Sequence, residues 1–145
     1  MNDKFQAQKA RLIMTLRGMG LMDSRVLAAL ENVPRELFVT AQLRQHSYEN
    51  ASLPIAYDQT ISQPYVVARM TEALQLAGRE LVLEIGCGSG YQAAILSHLC
   101  RRVYSIERLK PLLVDAENRL RDLRISNISF RLGNGAKGWP EAAPF

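Results

Sequence analysis

The sequence predicts an α/β fold built on a parallel sheet, and three observations carry that reading. Short apolar runs alternate with amphipathic helical stretches beyond residue 78, glycines cluster where the first run turns into a helix, and an acidic residue closes the second run. Leu81-Val82-Leu83-Glu84-Ile85 reads as a strand with little polar alternation, as expected when both faces of a parallel sheet are covered. Ala93, Ala94, Ile95 and Leu96 follow in a helix. Arg102-Val103-Tyr104-Ser105-Ile106 makes the next strand, and Leu112, Leu113, Ala116, Leu120 and Leu123 give the next helix an apolar face. Residues 127–132 make a third strand. Strand, helix, strand, helix, strand is the pattern of a parallel sheet with right-handed crossovers.

The N-terminal part has a different grammar. Phe5, Leu12, Ile13 and Leu16 recur at helical spacing, and Gly18 and Gly20 follow where a helix should stop. Ser24 is placed to cap a second helix with Val26, Leu27, Leu30 and Val33 on its apolar face, ending before Pro34. From about 39 to 63 the period is lost and turn formers gather, which predicts a long loop of the kind that carries function. Pro64 then occupies a first helical position, with Val66, Val67, Met70 and Leu74 on the buried face of the helix it opens.

Composition bounds the function classes. With 145 residues, 48% hydrophobic and 22% charged, the chain reads as one globular unit able to bury a core. The net charge is +4, but Lys and Arg are scattered among acids and apolar positions, which describes a solvated surface and gives no nucleic-acid patch. The N-terminus lacks the apolar core of a signal peptide, and no run approaches the roughly 18 apolar residues of a membrane span, so a cytoplasmic location and no membrane partner are expected. Cys87 and Cys100 fit neither a metal-ligand spacing nor a disulfide framework and read as reduced thiols. His46 and His98 read as ordinary loop and helix-end residues, and Tyr57, Tyr65 and Trp139 as packing residues.

The chemistry concentrates in Glu84-Ile85-Gly86-Cys87-Gly88-Ser89-Gly90. Glycines at a strand-to-helix turn let the backbone bend tightly and let a ligand approach peptide groups that a Cβ would block. A nucleotide-type cofactor follows, and Glu107, closing the second strand, stands where an acidic side chain of a doubly wound fold accepts hydrogen bonds from a ribose diol. The dinucleotide fingerprint places its third glycine or alanine where this chain has Tyr91. Glu84 also argues against a dinucleotide: a carboxylate there repels a pyrophosphate but can hold the amino group of a methionine moiety. S-adenosylmethionine fits these residues better than a nicotinamide dinucleotide. Cys87 reads as a small filler in this loop.

The segment from Val82 to Ala94 resembles the first motif of the protein-L-isoaspartate O-methyltransferases, class I enzymes with a Rossmann-like fold. Val33-Pro34-Arg35-Glu36-Leu37-Phe38-Val39 is similar to that family's N-terminal signature. Leu53-Pro54-Ile55 with Gln59-Thr60-Ile61-Ser62-Gln63-Pro64 resembles its substrate loop, Val103 to Arg108 its second strand, and Gly138-Trp139-Pro140 with Ala143-Pro144-Phe145 the stretch after its third. The resemblance implies methyl transfer from S-adenosylmethionine to the α-carboxylate of L-isoaspartyl residues in damaged proteins and peptides, its expected partners. Such a carboxylate, with a pKa of about 4, is ionised at neutral pH and needs no general base. Catalysis would come mostly from positioning. Ser62 matches the family's active-site serine, and Thr60 is the second candidate for placing the substrate; a helix cap at Pro64 is the other reading of Ser62. Cofactor contacts are expected from Glu84, Gly86, Cys87, Gly88, Ser89, Gly90, Glu107, Asn134 and Gly135.

Two positions depart from the family pattern. Gly133-Asn134-Gly135 stands where the family has Gly-Asp-Gly, so the group expected near the adenine amino group is an amide, and Ala56 stands where the substrate loop usually has Gly. The resemblance also implies a C-terminally truncated member, because the family continues past Ala-Pro-Phe into a fourth strand beside the first. The expected organisation is an N-terminal helical segment over 1–78, with the substrate loop at about 46–63, and the first half of the S-adenosylmethionine-binding domain over 79–145, within one domain. The strand order would be 3-2-1, leaving the 81–85 strand with an open apolar edge. Two alternatives are a non-catalytic fragment that binds the cofactor weakly or associates through that edge, and a dinucleotide oxidoreductase.

Overall fold

The computed structural model describes residues 3–145. A 3-10 turn at Asp3–Phe5 leads into helix α1 (Gln6–Gly18), whose Leu12 and Leu16 face the core together with Phe5. Helix α2 (Ser24–Asn32) buries Val26, Leu27, Ala29 and Leu30. Its cap is Asp23, whose carboxylate accepts from the Arg25 amide at 2.9 Å. Ser24, expected in that role, is the first helical residue. Asp23 takes the cap because its carboxylate also pairs with the Arg25 guanidinium at 3.1 Å, a contact no serine hydroxyl offers. The helix ends at Val33, which is extended ahead of Pro34.

Residues 39–63 are more ordered than a long loop. A 3-10 helix spans Ala41–His46, and strands β1 (Leu53–Pro54) and β2 (Thr60–Ile61) form an antiparallel ribbon in the register Leu53↔Ile61 and Pro54↔Thr60. The ribbon closes through Ala56-Tyr57-Asp58-Gln59, with the Gln59 amide donating to the Ala56 carbonyl. Tyr57 and Asp58 sit at φ 59° and 54°, as a turn matched to ribbon twist requires. Ala56 stays out of the left-handed region, so an alanine in place of the family's glycine carries no backbone strain there. Tyr57, expected to pack, is 55% exposed at the tip.

Helix α3 (Pro64–Ala73) begins with proline at its first position and turns Val67, Ala68 and Thr71 inward; of the face expected to be buried only Val67 is, while Val66, Met70 and Leu74 stay exposed beside the edge of the sheet. Its cap position is Gln63, and the Tyr65 amide donates to the Asn50 side chain at 3.0 Å, so Ser62 is not the cap.

Strands β3 (Leu81–Ile85), β4 (Arg102–Glu107) and β5 (Ile128–Leu132) form a parallel sheet in the order β3-β4-β5, with helices α4 (Tyr91–Ser97) and α5 (Lys110–Asp122) as crossovers. This is the 3-2-1 order the sequence predicts. The register pairs Glu84 with Ser105 and Ile85 with Ile106, and carries Glu107 beside Leu132. Asn127 falls just outside β5, although its carbonyl still accepts from the Val103 amide at 3.0 Å; its side chain donates to the Ser97 carbonyl at 2.9 Å. Strand β3 departs from the expected two-sided cover: Leu81, Val82 and Leu83 are only partly buried, and Ile85 is 56% exposed. It is an edge strand, and its lack of polar alternation reports the sheet interior without reporting how much of it is covered.

A single apolar cluster runs from Phe5 and Leu16 through Val33, Phe38, Ile61 and Val67 to Ile95, Val103 and Leu120. The N-terminal helices therefore share a core with the α4 side of the sheet. Among the described residues, no helix is long and apolar enough to cross a membrane.

Candidate functional site

The site forms at the carboxyl ends of β3 and β4, where open α/β sheets hold their ligands. Beyond Ile85 the chain must leave the sheet and reverse into α4. Gly86 and Gly88 make that bend at φ +82° and +51°. The Gly86 amide donates to the Ile106 carbonyl at 2.7 Å, which extends the strand pairing into the loop. A Cβ on Gly88 would point toward Ile55 and the Thr60 carbonyl, into the gap between the glycine loop and the β1-β2 ribbon.

Glu107 holds this loop. One carboxylate oxygen accepts from the Gly88 amide at 3.0 Å, and the other from the Arg108 and Leu109 amides at 2.9 and 3.0 Å. The residue is only 5% exposed, yet the oxygen bonded to Gly88 accepts one of these bonds where its partner accepts two, which leaves acceptor capacity toward the neighbouring cavity. That cavity, of about 700 Å³, is lined by Thr60, Gly86, Gly88, Glu107, Asn134 and Gly135, with Gln59, Ile85, Arg108 and Leu132 among the other walls. Its volume lies in the range of sites that take a nucleoside-sized ligand. Gly135 lets the turn after β5 fold back onto Ile85 of β3, where a Cβ would clash, and this contact closes the cavity across the end of β4.

A second cavity, of about 360 Å³, shares Ile85 and Gly86 with the first. Ser62 and Glu84 line it, with Val66, Met70 and Leu74 of α3 as an apolar wall and Thr71 and Gln92 as polar groups. Thr60 and Ser62 face the site because Ile61 between them is anchored in the core, and side chains alternate along an extended chain. Thr60 thus faces the larger cavity and Ser62 the smaller. Glu84 is buried and accepts from the Ser105 hydroxyl at 2.5 Å. Burial pushes its carboxyl up to about 7, with the nearby Glu107 charge acting in the same direction and the Ser105 bond against it.

Three residues of the glycine segment stand apart from both cavities. Cys87 is buried against Leu113 and Ala116 on the α5 side, where burial pushes its thiol well above the ordinary range. The Ser89 hydroxyl accepts from the Tyr91 amide at 3.3 Å, and its carbonyl accepts from Arg119 at 2.7 Å. Gly90, at φ +89°, packs on Ala116 and Leu120. These three were expected at the cofactor; none of them lines either cavity, and the Cys87 side chain, the Ser89 carbonyl and the Gly90 backbone all meet α5. The Asn134 side-chain oxygen accepts from the Ala136 amide at 3.0 Å, capping a short 3-10 turn at the rim. Sequence reasoning did not single out Arg35, fully buried, whose guanidinium donates to the Ser62 carbonyl at 2.9 Å. Arginine is so seldom buried that a lone sequence gives no signal for it.

The chemistry of these groups suits S-adenosylmethionine. Two carboxylates, Glu84 and Glu107, stand at adjacent strand ends, a field that favours a sulfonium and an ammonium and disfavours a pyrophosphate. The amides that open α4 are also engaged within the loop, Gly90 to the Cys87 carbonyl at 2.8 Å and Tyr91 to Ser89, where a dinucleotide site would present them to phosphate.

Fold and site together define a class I methyltransferase domain of Rossmann-like type. The model of the family "Protein-L-isoaspartate(D-aspartate) O-methyltransferase (PCMT)" matches residues 7–145, and the chain belongs to that family. It is 58% identical over 143 residues to a protein-L-isoaspartate O-methyltransferase of Parvibaculum lavamentivorans, an alignment covering 99% of this chain and 64% of that protein. A solved protein-L-isoaspartate O-methyltransferase superposes with a TM-score of 0.87 at 31% identity, over 94% of this chain and 45% of the other. A structure from Plasmodium falciparum, described as a putative member in complex with S-adenosyl-L-homocysteine, shares the fold with a TM-score of 0.72 at 22% identity, covering 92% and 66%. The chain therefore spans about 64% of the length of the first relative it matches.

Proposed function

We propose that the protein transfers the methyl group of S-adenosylmethionine to the α-carboxylate of L-isoaspartyl residues in damaged proteins and peptides, the first step of their repair. The observation that carries this reading is the meeting of the two cavities at Ile85 and Gly86, one holding Glu107 and the glycine bend, the other Ser62 and Glu84. Bound S-adenosylmethionine supplies an electrophilic methyl on a sulfonium. Glu107 accepts from the ribose hydroxyls, Glu84 faces the methionine amino group, and Asn134 and Gly135 border the adenine end. Family membership and the names of the relatives support the same assignment.

The rest of the work is positioning. The substrate carboxylate arrives ionised, so no group here needs to remove a proton from it. Ser62 donates to one carboxylate oxygen and leaves the other free to attack, and Thr60, on the same face of the ribbon, borders the path toward the larger cavity. Val66, Met70 and Leu74 offer the substrate an apolar wall on one side of the smaller cavity. A cytoplasmic location accords with this reading. Radiolabelled methyl incorporation tests the reading: an isoaspartyl peptide accepts the label and its aspartyl counterpart does not. Equal labelling of both peptides, or of neither, sinks it.

A further inference from the structure

We infer that Arg35 is the positioning residue of the substrate loop, setting the place of Ser62 from beneath by holding its carbonyl. The inference rests on the proposed function, since it concerns the serine assigned to the substrate. Arg35 follows Pro34 in the stretch after α2, far in sequence from the ribbon, and its side chain is wholly inside the protein. Its guanidinium spans three carbonyls of the one segment it underlies: Nε donates to Ser47 at 2.8 Å, and Nη2 to Ala51 at 3.4 Å and Ser62 at 2.9 Å. Two of these acceptors precede the first strand of the ribbon and the third follows its second, so the arginine brackets the ribbon.

The guanidinium is also fixed from the other side. Its central carbon lies 4.8 Å from the centre of the Tyr91 ring, and Tyr91 is the first residue of α4, immediately after the glycine loop. The Arg35 amide donates to the Tyr48 hydroxyl at 3.2 Å, and that hydroxyl donates to Glu36. One side chain thus ties the substrate loop to the element that follows the cofactor bend. Among the described residues no carboxylate forms an ion pair with Arg35, so the cation is held by carbonyl dipoles and an aromatic face. A buried cation without a counter-ion is costly, and an apolar side chain would fill the space with less penalty. What the arginine adds is a rigid fork that fixes several carbonyls relative to one another.

The carbonyl of Ser62 matters because the ribbon pairing ends at Ile61. Ser62 lies past the ladder and before the first turn of α3, and Arg35 holds its peptide group. A shift of that peptide moves the hydroxyl out of line with the methyl donor, while the glycine bend and Glu107 are left in place.

Arg35→Lys and Arg35→Met, made in the full chain, test this. Three readouts are compared with the unchanged protein: kcat and KM for an isoaspartyl peptide, calorimetric affinity for S-adenosylhomocysteine, and native-state hydrogen exchange. In both variants kcat should fall at least tenfold and S-adenosylhomocysteine affinity should stay within twofold. Exchange in residues 59–63 should quicken at least tenfold while strands β3 and β4 keep their protection. Unchanged exchange at 59–63 in both variants overturns the inference. So does a general loss of protection and cofactor affinity in both, including failure to fold, which would mark Arg35 as a structural residue only. If the unchanged protein methylates neither peptide, the proposed function fails, and the exchange data still decide whether Arg35 holds the loop.

Discussion

Glu84 and Ser105 are register partners on adjacent parallel strands, and the serine hydroxyl donates to the buried carboxylate at 2.5 Å. Among the described residues this neutral donor is the one hydrogen bond the carboxylate receives, and it only partly offsets the burial that pushes Glu84 toward its protonated form. With its carboxyl at about 7, Glu84 is poised between charge states, and a cation beside it would favour the ionised form.

A pH dependence of stability follows. Glu84 is raised from the ordinary 4.5 to about 7 in the folded protein. Between these values the unfolded chain has lost the proton and the folded chain keeps it, so stability falls as pH rises and levels off above about 7. The swing is on the order of 3 kcal/mol. Glu84→Gln removes it: urea unfolding at pH 5 and pH 8 should show the variant gaining relative to the unchanged protein at the higher pH. A stability difference independent of pH would show that Glu84 is ionised throughout.

The two cavities differ from the packing around the glycines, and substitutions separate the roles. Gly90→Ala places a methyl 3.2 Å from the Ala116 Cβ at φ +89°, and should cost roughly 1–3 kcal/mol of stability. Gly88→Ala meets no protein atom closer than 3.8 Å and should cost about 1 kcal/mol, for its positive φ. It should weaken S-adenosylhomocysteine at least tenfold by filling the gap under the ribbon. Thermal unfolding and calorimetry on both variants check the contrast; equal stability losses would refute it.

The ribbon turn is built from residues poorly suited to it. Tyr57 and Asp58 both occupy positive φ, and Tyr57 is largely exposed, so replacing the pair by Asn-Gly removes strain without touching the core. The double variant should gain about 1 kcal/mol, or roughly 2–4 °C in Tm. A fall in Tm would mean that the Tyr57 ring contributes packing at the tip.

The sheet was legible because its strands are apolar runs separated by periodic helices, and the strand order came with the family resemblance. Asp23 was missed as a cap because Ser24 beside it is an equally good cap by type, and the choice turns on the Arg25 guanidinium. The ribbon was missed because strands of two residues carry no period. Within the site, Gly86, Gly88 and Glu107 follow from where a strand ends and a glycine bends. That Cys87 and Gly90 pack on α5 depends on Leu113, Ala116 and Leu120, and that the Ser89 carbonyl is held there depends on Arg119, which no local pattern encodes. Arg35 was invisible for the same reason: its burial is a property of the assembled fold.

The central claim is that the crevice between the glycine bend and Glu107 seats the ribose of S-adenosylmethionine. Calorimetric titration of S-adenosylhomocysteine into the unchanged protein and into Glu107→Gln tests it most directly. The account predicts one-to-one binding that weakens at least tenfold in the variant, with Tm also lowered, because the new amide leaves at least one of the Gly88, Arg108 and Leu109 amides without its acceptor. Equal affinity in both proteins, or binding of NAD in place of S-adenosylhomocysteine, would contradict it.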